Sequence, residues 1–175
     1  KEWQTIDVWR ESKTQGLKYK FKNTNIILQG GIDDVWFNTK TKELIVVDYK
    51  SQASPKKVSQ DTYFDKSGYH GSYKTQLDFY AYLMKGMNLE YGISDDSYLY
   101  VVNGLDVEEG FNAEIKFSET LIHHKIETDY LDNEIQNMID TINSEKIPES
   151  NKSCKNCAYA RQRSVIDSLG DLNEK

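Results

Sequence analysis

Two apolar segments joined by a short polar turn constrain the fold of this chain more than any other feature. Residues 26–37 and residues 43–50 are rich in apolar side chains, whereas residues 38–42 between them are polar. This pattern predicts a β-hairpin, because strands joined by so short a turn pair with each other. The second strand carries a Leu-Ile-Val-Val run at residues 44–47, apolar on both faces, so we expect it to lie centrally in a sheet.

The register of this hairpin places two carboxylates together. A turn centred after residue 40 makes the numbers of paired residues sum to 81, and Asp33 then lies directly opposite Asp48. Residues opposed in this way have Cβ atoms about 5 Å apart. Lys50 shares the face of Asp48, because side chains alternate along a strand. A slip of one residue would separate the two carboxylates, so the register decides the chemistry.

Opposed carboxylates at the end of an apolar strand destabilise a fold unless a cation neutralises them. Mg²⁺ takes oxygen ligands, keeps several waters and needs only one or two protein carboxylates. Such an ion polarises a phosphate and lowers the pKa of bound water. Lys50 is placed to orient or deprotonate that water, or to stabilise the developing charge. These residues predict metal-assisted hydrolysis of a phosphate ester; the alternative is that Asp33 and Asp48 only end their strands and face solvent.

The rest of the chain alternates between helical and strand patterns. The pair Gly30-Gly31 inside the first hairpin strand indicates a bulge or a close backbone approach. We expect helices at residues 3–10, 72–87 and 128–144, strands at residues 17–21, 98–102 and within 113–127, and a long surface loop at residues 51–71. This order predicts an α/β core with a central mixed sheet flanked by helices.

The helix at residues 72–87 carries a polar residue on its apolar face. Gln76 interrupts the apolar stripe, and Tyr80 follows one turn later on the same side. A glutamine that points to the core needs polar partners, and a charged site at the hairpin would supply them. The alternative is a glutamine at the border of the core beside an ordinary core tyrosine.

Composition bounds these expectations. The chain has 175 residues, 38% of them hydrophobic, and no apolar run near the roughly 20 residues that a membrane span needs. We expect one domain over residues 1–175 and, because the first residue is Lys1, a fragment or a processed form of a longer protein. Two cysteines and no visible signal peptide favour the cytoplasm. The net charge of -6 argues against a purely electrostatic nucleic-acid binder, although residues 10–22 and 50–57 are basic.

Three short motifs resemble the PD-(D/E)XK nuclease superfamily, particularly its RecB-like branch, which is related to the CRISPR-associated and AddB-type exonucleases. Residues 30–33, Gly-Gly-Ile-Asp, are similar to the Gly-x-x-Asp motif of that branch. Residues 48–51, Asp-Tyr-Lys-Ser, resemble its central motif, and residues 76–80, Gln-Leu-Asp-Phe-Tyr, resemble its Gln-x-x-x-Tyr helix. The order and the intervals of the three motifs match together over about residues 26–87.

The resemblance implies a restriction-endonuclease-like fold, dependence on Mg²⁺ or Mn²⁺, and cleavage of DNA that is single-stranded or has accessible ends. It implies that Asp33, Asp48 and the backbone carbonyl of Tyr49 bind metal and that Lys50 is the catalytic lysine. It further implies that Gln76 and Tyr80 support the site or contact the DNA backbone. A helicase or another repair or defence protein is an implied partner, and no membrane is expected.

Two features depart from the branch. Its iron–sulfur members hold a cluster with four cysteines, but here Cys154 and Cys157 stand alone and Arg163 occupies the place of the next cysteine. We therefore expect no iron–sulfur cluster. The branch also has a His or Glu on an early helix that completes the metal site. Here Glu2 and Glu11 are the only early glutamates, so that ligand is absent, is replaced by one of them, or precedes Lys1.

Two other functions compete with a processing nuclease. The first is a catalytically inactive DNA-binding or assembly module that keeps the nuclease fold. The second is a site-specific endonuclease of the restriction type, which needs recognition elements that 175 residues hardly accommodate. A missing early ligand would favour the inactive module. The chain retains all five other site residues, Asp33, Asp48, Lys50, Gln76 and Tyr80, which favours an active enzyme with an exonuclease-like or DNA-processing role in repair, recombination or defence.

Overall fold

The structure of the protein, a computed structural model, describes residues 3–11, 13–64, 70–105 and 113–170. Its elements in chain order are α1 (Trp3–Arg10), β1 (Leu17–Lys20), β2 (Ile27–Gly30), β3 (Asp34–Asn38), β4 (Glu43–Ala53), α2 (Gln60–Tyr63), α3 (Gly71–Gly86), β5 (Gly92–Ile93), β6 (Asp96–Gly104), β7 (Phe117–Lys125), α4 (Leu131–Asn143) and α5 (Lys155–Gly170). The predicted α/β class is confirmed. Within the described part of the chain, no helix is long and apolar enough to cross a membrane.

The chain forms two compact units that divide between Asp132 and Asn133, inside α4. The first unit contains both sheets and the helices from α1 to α3. The second contains the rest of α4 and the whole of α5. A single domain over residues 1–175 stays a prediction.

The predicted hairpin is confirmed, with its register. β3 and β4 are antiparallel, and Val35 pairs with Val46 and Phe37 with Leu44, so paired numbers sum to 81. The side chain of Asn38 holds the turn, because its Oδ1 accepts hydrogen bonds from the backbone N–H groups of residues 40 and 41 at 3.0 and 3.3 Å. An asparagine in a turn can bind the backbone N–H groups that follow it, and these hydrogen bonds stabilise the turn between β3 and β4.

β4 lies in the interior of a five-stranded mixed sheet. The strand order is β3-β4-β6-β7, and the short β5 also pairs with β4. β4 runs antiparallel to β3 and parallel to β5 and β6, while β6 and β7 are antiparallel. Val46 and Val47 have no exposed surface, which confirms the central position predicted from the Leu-Ile-Val-Val run.

One predicted strand, residues 26–37, is wrong as a continuous element. β2 ends at Gly30 and pairs with β1 in a separate two-stranded sheet, whereas β3 begins at Asp34 in the main sheet. A Cβ on Gly30 would stand 3.0 Å from a ring carbon of Tyr80, so the chain touches α3 at this point. The glycine therefore marks the close backbone approach that the sequence predicts, and the strand ends there.

α3 covers the face of the main sheet that carries Asp48. The predicted helix at residues 72–87 is confirmed with its bounds shifted by one residue. Its apolar side chains pack with those of β4, β6 and β7 in one buried core. The principal members of that core are Val46, Leu77, Ala81, Leu83, Met84, Leu99, Val101 and Ile122. Because each fully buried aliphatic side chain contributes about 1.5–3 kcal/mol, this helix is held firmly against the sheet.

Other elements differ from prediction in extent. The predicted loop at residues 51–71 is shorter, because β4 continues to Ala53 and residues 60–63 form α2; residues 65–69 lie outside the described residues. The strands predicted at residues 98–102 and within 113–127 are confirmed as β6 and β7. The cysteine-containing tail, for which the sequence indicates no element, forms α5.

Candidate active site

Asp48 and Lys50 stand one pleat apart on the face of β4 that α3 covers. The apolar run before them carries the strand into the core, so Asp48 is only 1% exposed although it is a carboxylate. Its Oδ2 lies 2.5 Å from Lys50 Nζ, and the lysine side chain is 19% exposed. The predicted placement of both side chains on one face is therefore confirmed, and they form a buried ion pair.

Asp33 lies immediately before β3, at the position that the register extends opposite Asp48. Its Oδ2 accepts a hydrogen bond from the backbone N–H of Tyr49 at 2.9 Å. The carboxyl group of Asp33 is also close enough to act on Asp48 both through its charge and as a hydrogen-bonding group. The structure thus brings Asp33, Asp48 and Lys50 together where the pairing of β3 with β4 ends, while β4 itself continues beside β6.

The surroundings of Asp48 oppose its ionisation. Burial is the largest cause and raises the pKa of Asp48 to about 6. The charge of Lys50 acts in the opposite direction, and the charge of Asp33 adds to the rise in pKa. A carboxyl group in this position gains stability as an anion when a cation approaches it.

Gln76 and Tyr80 of α3 complete the same network. Lys50 Nζ donates a hydrogen bond to Gln76 Oε1 at 3.0 Å. Gln76 Nε2 faces Asp48 Oδ1 at 3.2 Å and the hydroxyl oxygen of Tyr80 at 2.8 Å. The expectation that the hairpin supplies polar partners for Gln76 is confirmed, because this amide bridges both members of the ion pair.

The donor set suits a hard divalent cation. Asp48 Oδ2 is buried and, among the described residues, has no hydrogen bond of ordinary geometry besides its ion-pair contact with Lys50. It lies beside a second carboxylate, that of Asp33. In the described part of the chain, no three His, Cys, Asp or Glu residues form a metal-binding group. Two carboxylates with a backbone carbonyl and waters satisfy Mg²⁺ or Mn²⁺, whereas a softer ion would want nitrogen or sulfur ligands.

The resemblance implies a metal ligand on the first helix, but the residue that this helix places beside Asp33 is Arg10. Arg10, the last residue of α1, donates from Nε to the backbone carbonyl of Asp33 at 2.6 Å. The carboxylate of Glu11 instead accepts hydrogen bonds from the Lys13 backbone and the Thr14 hydroxyl, so it serves its own turn. Glu2 lies outside the described residues.

Tyr73 and Arg10 are the site neighbours that sequence reasoning missed. Lys50 Nζ lies 4.5 Å from the centroid of the Tyr73 ring, in a cation–π contact. Tyr73 precedes Gln76 by one helical turn, so the spacing places both residues on the same side of α3. No comparable signal marks Arg10, because its contact depends on how α1 is placed in the tertiary structure.

Other side chains that could bind a metal have partners of their own. His123 and His124 are neighbours on β7, where they meet Asp96 and Asp78 at 2.8 and 2.7 Å. The two cysteines lie at the start of α5, in the second unit, and are free thiols. The absence of an iron–sulfur cluster stays a prediction.

Comparison with known proteins agrees with this geometry. The family model of the PD-(D/E)XK nuclease superfamily matches residues 2–162, which is most of the chain. Comparisons with curated proteins and with solved structures gave no match. The mixed five-stranded sheet flanked by helices is the restriction-endonuclease-like arrangement of that superfamily, whose members act as metal-dependent nucleases. The chain therefore belongs to the PD-(D/E)XK nuclease superfamily.

Proposed function

We propose that this protein is a deoxyribonuclease that hydrolyses phosphodiester bonds with Mg²⁺ or Mn²⁺. The observation that carries the proposal is the buried network in which Gln76 bridges Asp48 and Lys50. A buried ion pair rarely improves stability over apolar packing. Its presence inside a central strand, next to a second carboxylate, supports a catalytic use.

In this proposal the carboxylates of Asp33 and Asp48 and the backbone carbonyl of Tyr49 hold the cation. The ion supplies charge neutralisation at the phosphate and a more acidic bound water. The N–H group of Tyr49 fixes one oxygen of Asp33 at 2.9 Å, which leaves the other oxygen for the metal. Burial of Asp48 keeps water away from its carboxylate and strengthens its interaction with any cation.

Lys50 is the proposed catalytic lysine. Its Nζ atom, 2.5 Å from Asp48, would donate to the attacking water or to a phosphate oxygen. Gln76 accepts from this ammonium, and Tyr80 holds the amide in turn. The role we propose for Gln76 and Tyr80 is therefore to fix the direction of the lysine within the fraction of an ångström that catalysis demands.

The finer assignments rest on the motif resemblance. The intervals between residues 30–33, 48–51 and 76–80 support the RecB-like branch and an exonuclease-like or DNA-processing role. Lys56 and Lys57 follow β4 and are exposed, so they offer a rim over which DNA enters the site. DNA with single-stranded or accessible ends, a helicase or other repair or defence partner, and a cytoplasmic location belong to the same proposal.

A second function has its own support. Within the described residues no third acidic or histidine ligand joins Asp33 and Asp48, and the first helix offers Arg10 instead. A protein that lost its metal would show this pattern while keeping the fold. The competing proposal is therefore a catalytically inactive DNA-binding or assembly module.

A cleavage panel separates these functions. The wild-type protein is incubated with linear and circular DNA, each single- and double-stranded, in Mg²⁺, Mn²⁺ or EDTA. We expect metal-dependent loss of linear substrates and little cutting of covalently closed double-stranded circles. Cutting of circles at fixed sequences would contradict the processing role, and DNA binding with no cleavage in either metal would establish the inactive module.

A further inference from the structure

Three side chains form a chain of contacts beside the hairpin. Arg10 of α1 places its Nη2 atom 3.2 Å from Asp34 Oδ1. The hydroxyl of Tyr49 donates to the other carboxylate oxygen of Asp34 at 2.5 Å. We call Arg10, Asp34 and Tyr49 the clamp. It links the first helix to β3 and β4.

The clamp reaches both backbone segments that the proposed metal site uses. Arg10 Nε donates to the carbonyl of Asp33 at 2.6 Å, so the guanidinium bridges two successive residues, Asp33 and Asp34. The backbone N–H of Tyr49 donates to Asp33 Oδ2 at 2.9 Å, while its side chain is held by Asp34. The clamp therefore holds Asp33 directly through Arg10, and it holds the side chain of the residue whose peptide N–H binds Asp33.

The alternation of the strands makes this arrangement specific. Asp34 pairs with Val47 in the β3–β4 register, and Tyr49 lies two residues further on the same face as Val47. Asp33 and Asp48 occupy the alternate positions, whose side chains point to the opposite face. The clamp thus contacts the hairpin from one face, and the carboxylates of Asp33 and Asp48 lie on the other.

We propose that Arg10, Asp34 and the Tyr49 hydroxyl are positioning residues that orient Asp33 and the Tyr49 carbonyl for a divalent cation. This inference rests on the function proposed above. Outer hydrogen bonds of this kind set the direction of metal ligands, and their loss commonly reduces metal affinity or activity by about 10- to 100-fold. In the branch that the motifs resemble, a residue of the first helix binds the metal directly. Here we assign the first helix an indirect role, in which Arg10 orients Asp33.

A plain surface role predicts a different behaviour. Arg10 is 45% exposed and also lies 3.8 Å from Asp7, which is 80% exposed. Ion pairs between exposed side chains contribute little to stability, because water and salt screen them. If the clamp were only such a pair, its removal would change neither metal affinity nor the kinetics of cleavage.

Tyr49→Phe is the sharpest variant, because it removes one hydroxyl and leaves the backbone carbonyl and the ring in place. Tyr100→Phe is its matched control: its ring is in edge contact with that of Tyr49 at 5.9 Å, and its hydroxyl has Glu119 as hydrogen-bond partner. Mn²⁺ binding is measured by calorimetry without DNA, and thermal unfolding confirms that each variant is folded. We expect about a 10-fold weaker Mn²⁺ affinity for Tyr49→Phe and no change for Tyr100→Phe.

Arg10→Met and the double variant Arg10→Met/Tyr49→Phe test whether the contacts act as one unit. Because both substitutions break the same chain through Asp34, we expect their effects on Mn²⁺ affinity to be less than additive. We expect cleavage to recover at high Mn²⁺ concentration, since the substitutions weaken ligand orientation and leave Lys50 in place. Unchanged Mn²⁺ affinity in folded Tyr49→Phe and Arg10→Met would overturn the clamp. Wild-type protein that neither binds Mn²⁺ nor cleaves DNA would instead overturn the proposed function, and the clamp with it.

Discussion

The carboxylate of Asp48 experiences opposing effects of burial and charge. Burial favours its neutral form, the Asp33 charge adds to this, and the ion pair with Lys50 acts against it. Burial has the largest effect, so the pKa is raised to about 6. A carboxyl group whose ionisation the fold itself disfavours is a candidate for a functional role, and the cation binding proposed above is such a role.

Replacement of Asp48 by Asn should therefore change stability with pH in a defined direction. The pKa of Asp48 is about 6 in the folded protein and about 3.9 when unfolded. Between these values the folded state holds the extra proton, so the wild type loses stability as pH rises through this window. We expect the stability of Asp48→Asn relative to wild type to increase by about 2 kcal/mol from pH 4 to pH 7 in EDTA.

Chemical denaturation at several pH values measures this difference. Asp61→Asn is a suitable control, because Asp61 is exposed on α2 and outside the network. A difference between Asp48→Asn and wild type that stays constant with pH would show that Asp48 is ionised normally in the folded protein.

The two cysteines illustrate how backbone geometry differentiates identical side chains. The Cys157 backbone N–H donates to Cys154 Sγ at 3.4 Å, and this contact is the largest cause that lowers the pKa of Cys154. The hydrogen bond between the two thiols raises the pKa of Cys157. Because the thiolate is the nucleophile, we expect iodoacetamide to modify Cys154 faster than Cys157 at neutral pH, as read by peptide mass spectrometry. Equal rates in the folded protein would contradict this order; in guanidinium the rates should converge.

At the scale of elements, α3 joins the site to the small sheet. It carries Gln76 and Tyr80 to the β3–β4 hairpin, and its last residue, Gly86, lies against Tyr19 of β1. The two-stranded sheet and the hairpin that carries the candidate site are thus both in contact with one helix. A displacement of one end of α3 should therefore change the position of the other end.

Gly86→Ala tests this close approach. A Cβ at Gly86 would stand 2.4–2.6 Å from atoms of the Tyr19 ring, so the ring or the helix must move. Overpacking of this kind costs about 1–3 kcal/mol, which outweighs the gain of up to about 1 kcal/mol from replacing a helical glycine. We expect a net loss of roughly 1–2 kcal/mol in the free energy of unfolding.

Gly71→Ala is the matched control at the other end of α3. A Cβ there meets no heavy atom within 4 Å, so this substitution should be neutral or stabilising by up to about 1 kcal/mol. Equal effects of both alanine substitutions on denaturant midpoints would show that the contact between α3 and β1 is looser than described.

The elements also show what sequence patterns can and cannot predict. The hairpin register followed from alternation and turn length, because a slip would have exposed the apolar face. The break between β2 and β3 did not follow, since the apolar pattern continues through Gly30 and Gly31 and only packing against Tyr80 ends the strand. Likewise Arg10 has no local signal, because its partners Asp33 and Asp34 are more than twenty residues away in sequence.

At the scale of the whole molecule, the candidate site depends on long-range assembly. The motifs that carry the proposed site residues come from three segments between residues 30 and 80, and β3 and α3 bring the outer two to β4. The motif intervals were sufficient to predict which residues meet. The distances and burial that make the chemistry credible required the folded structure.

The rate of metal-dependent DNA cleavage by Lys50→Met, compared with wild type, tests the central claim most directly. Met keeps the length of the side chain and removes its charge, and Lys40→Met, at the exposed hairpin turn, removes a charge outside the site. We expect Lys50→Met to lose activity on linear DNA by at least about 100-fold, since a charged donor at the reacting phosphate contributes several kcal/mol, while Lys40→Met cleaves like wild type. Cleavage by Lys50→Met at the wild-type rate would contradict the assignment of this site.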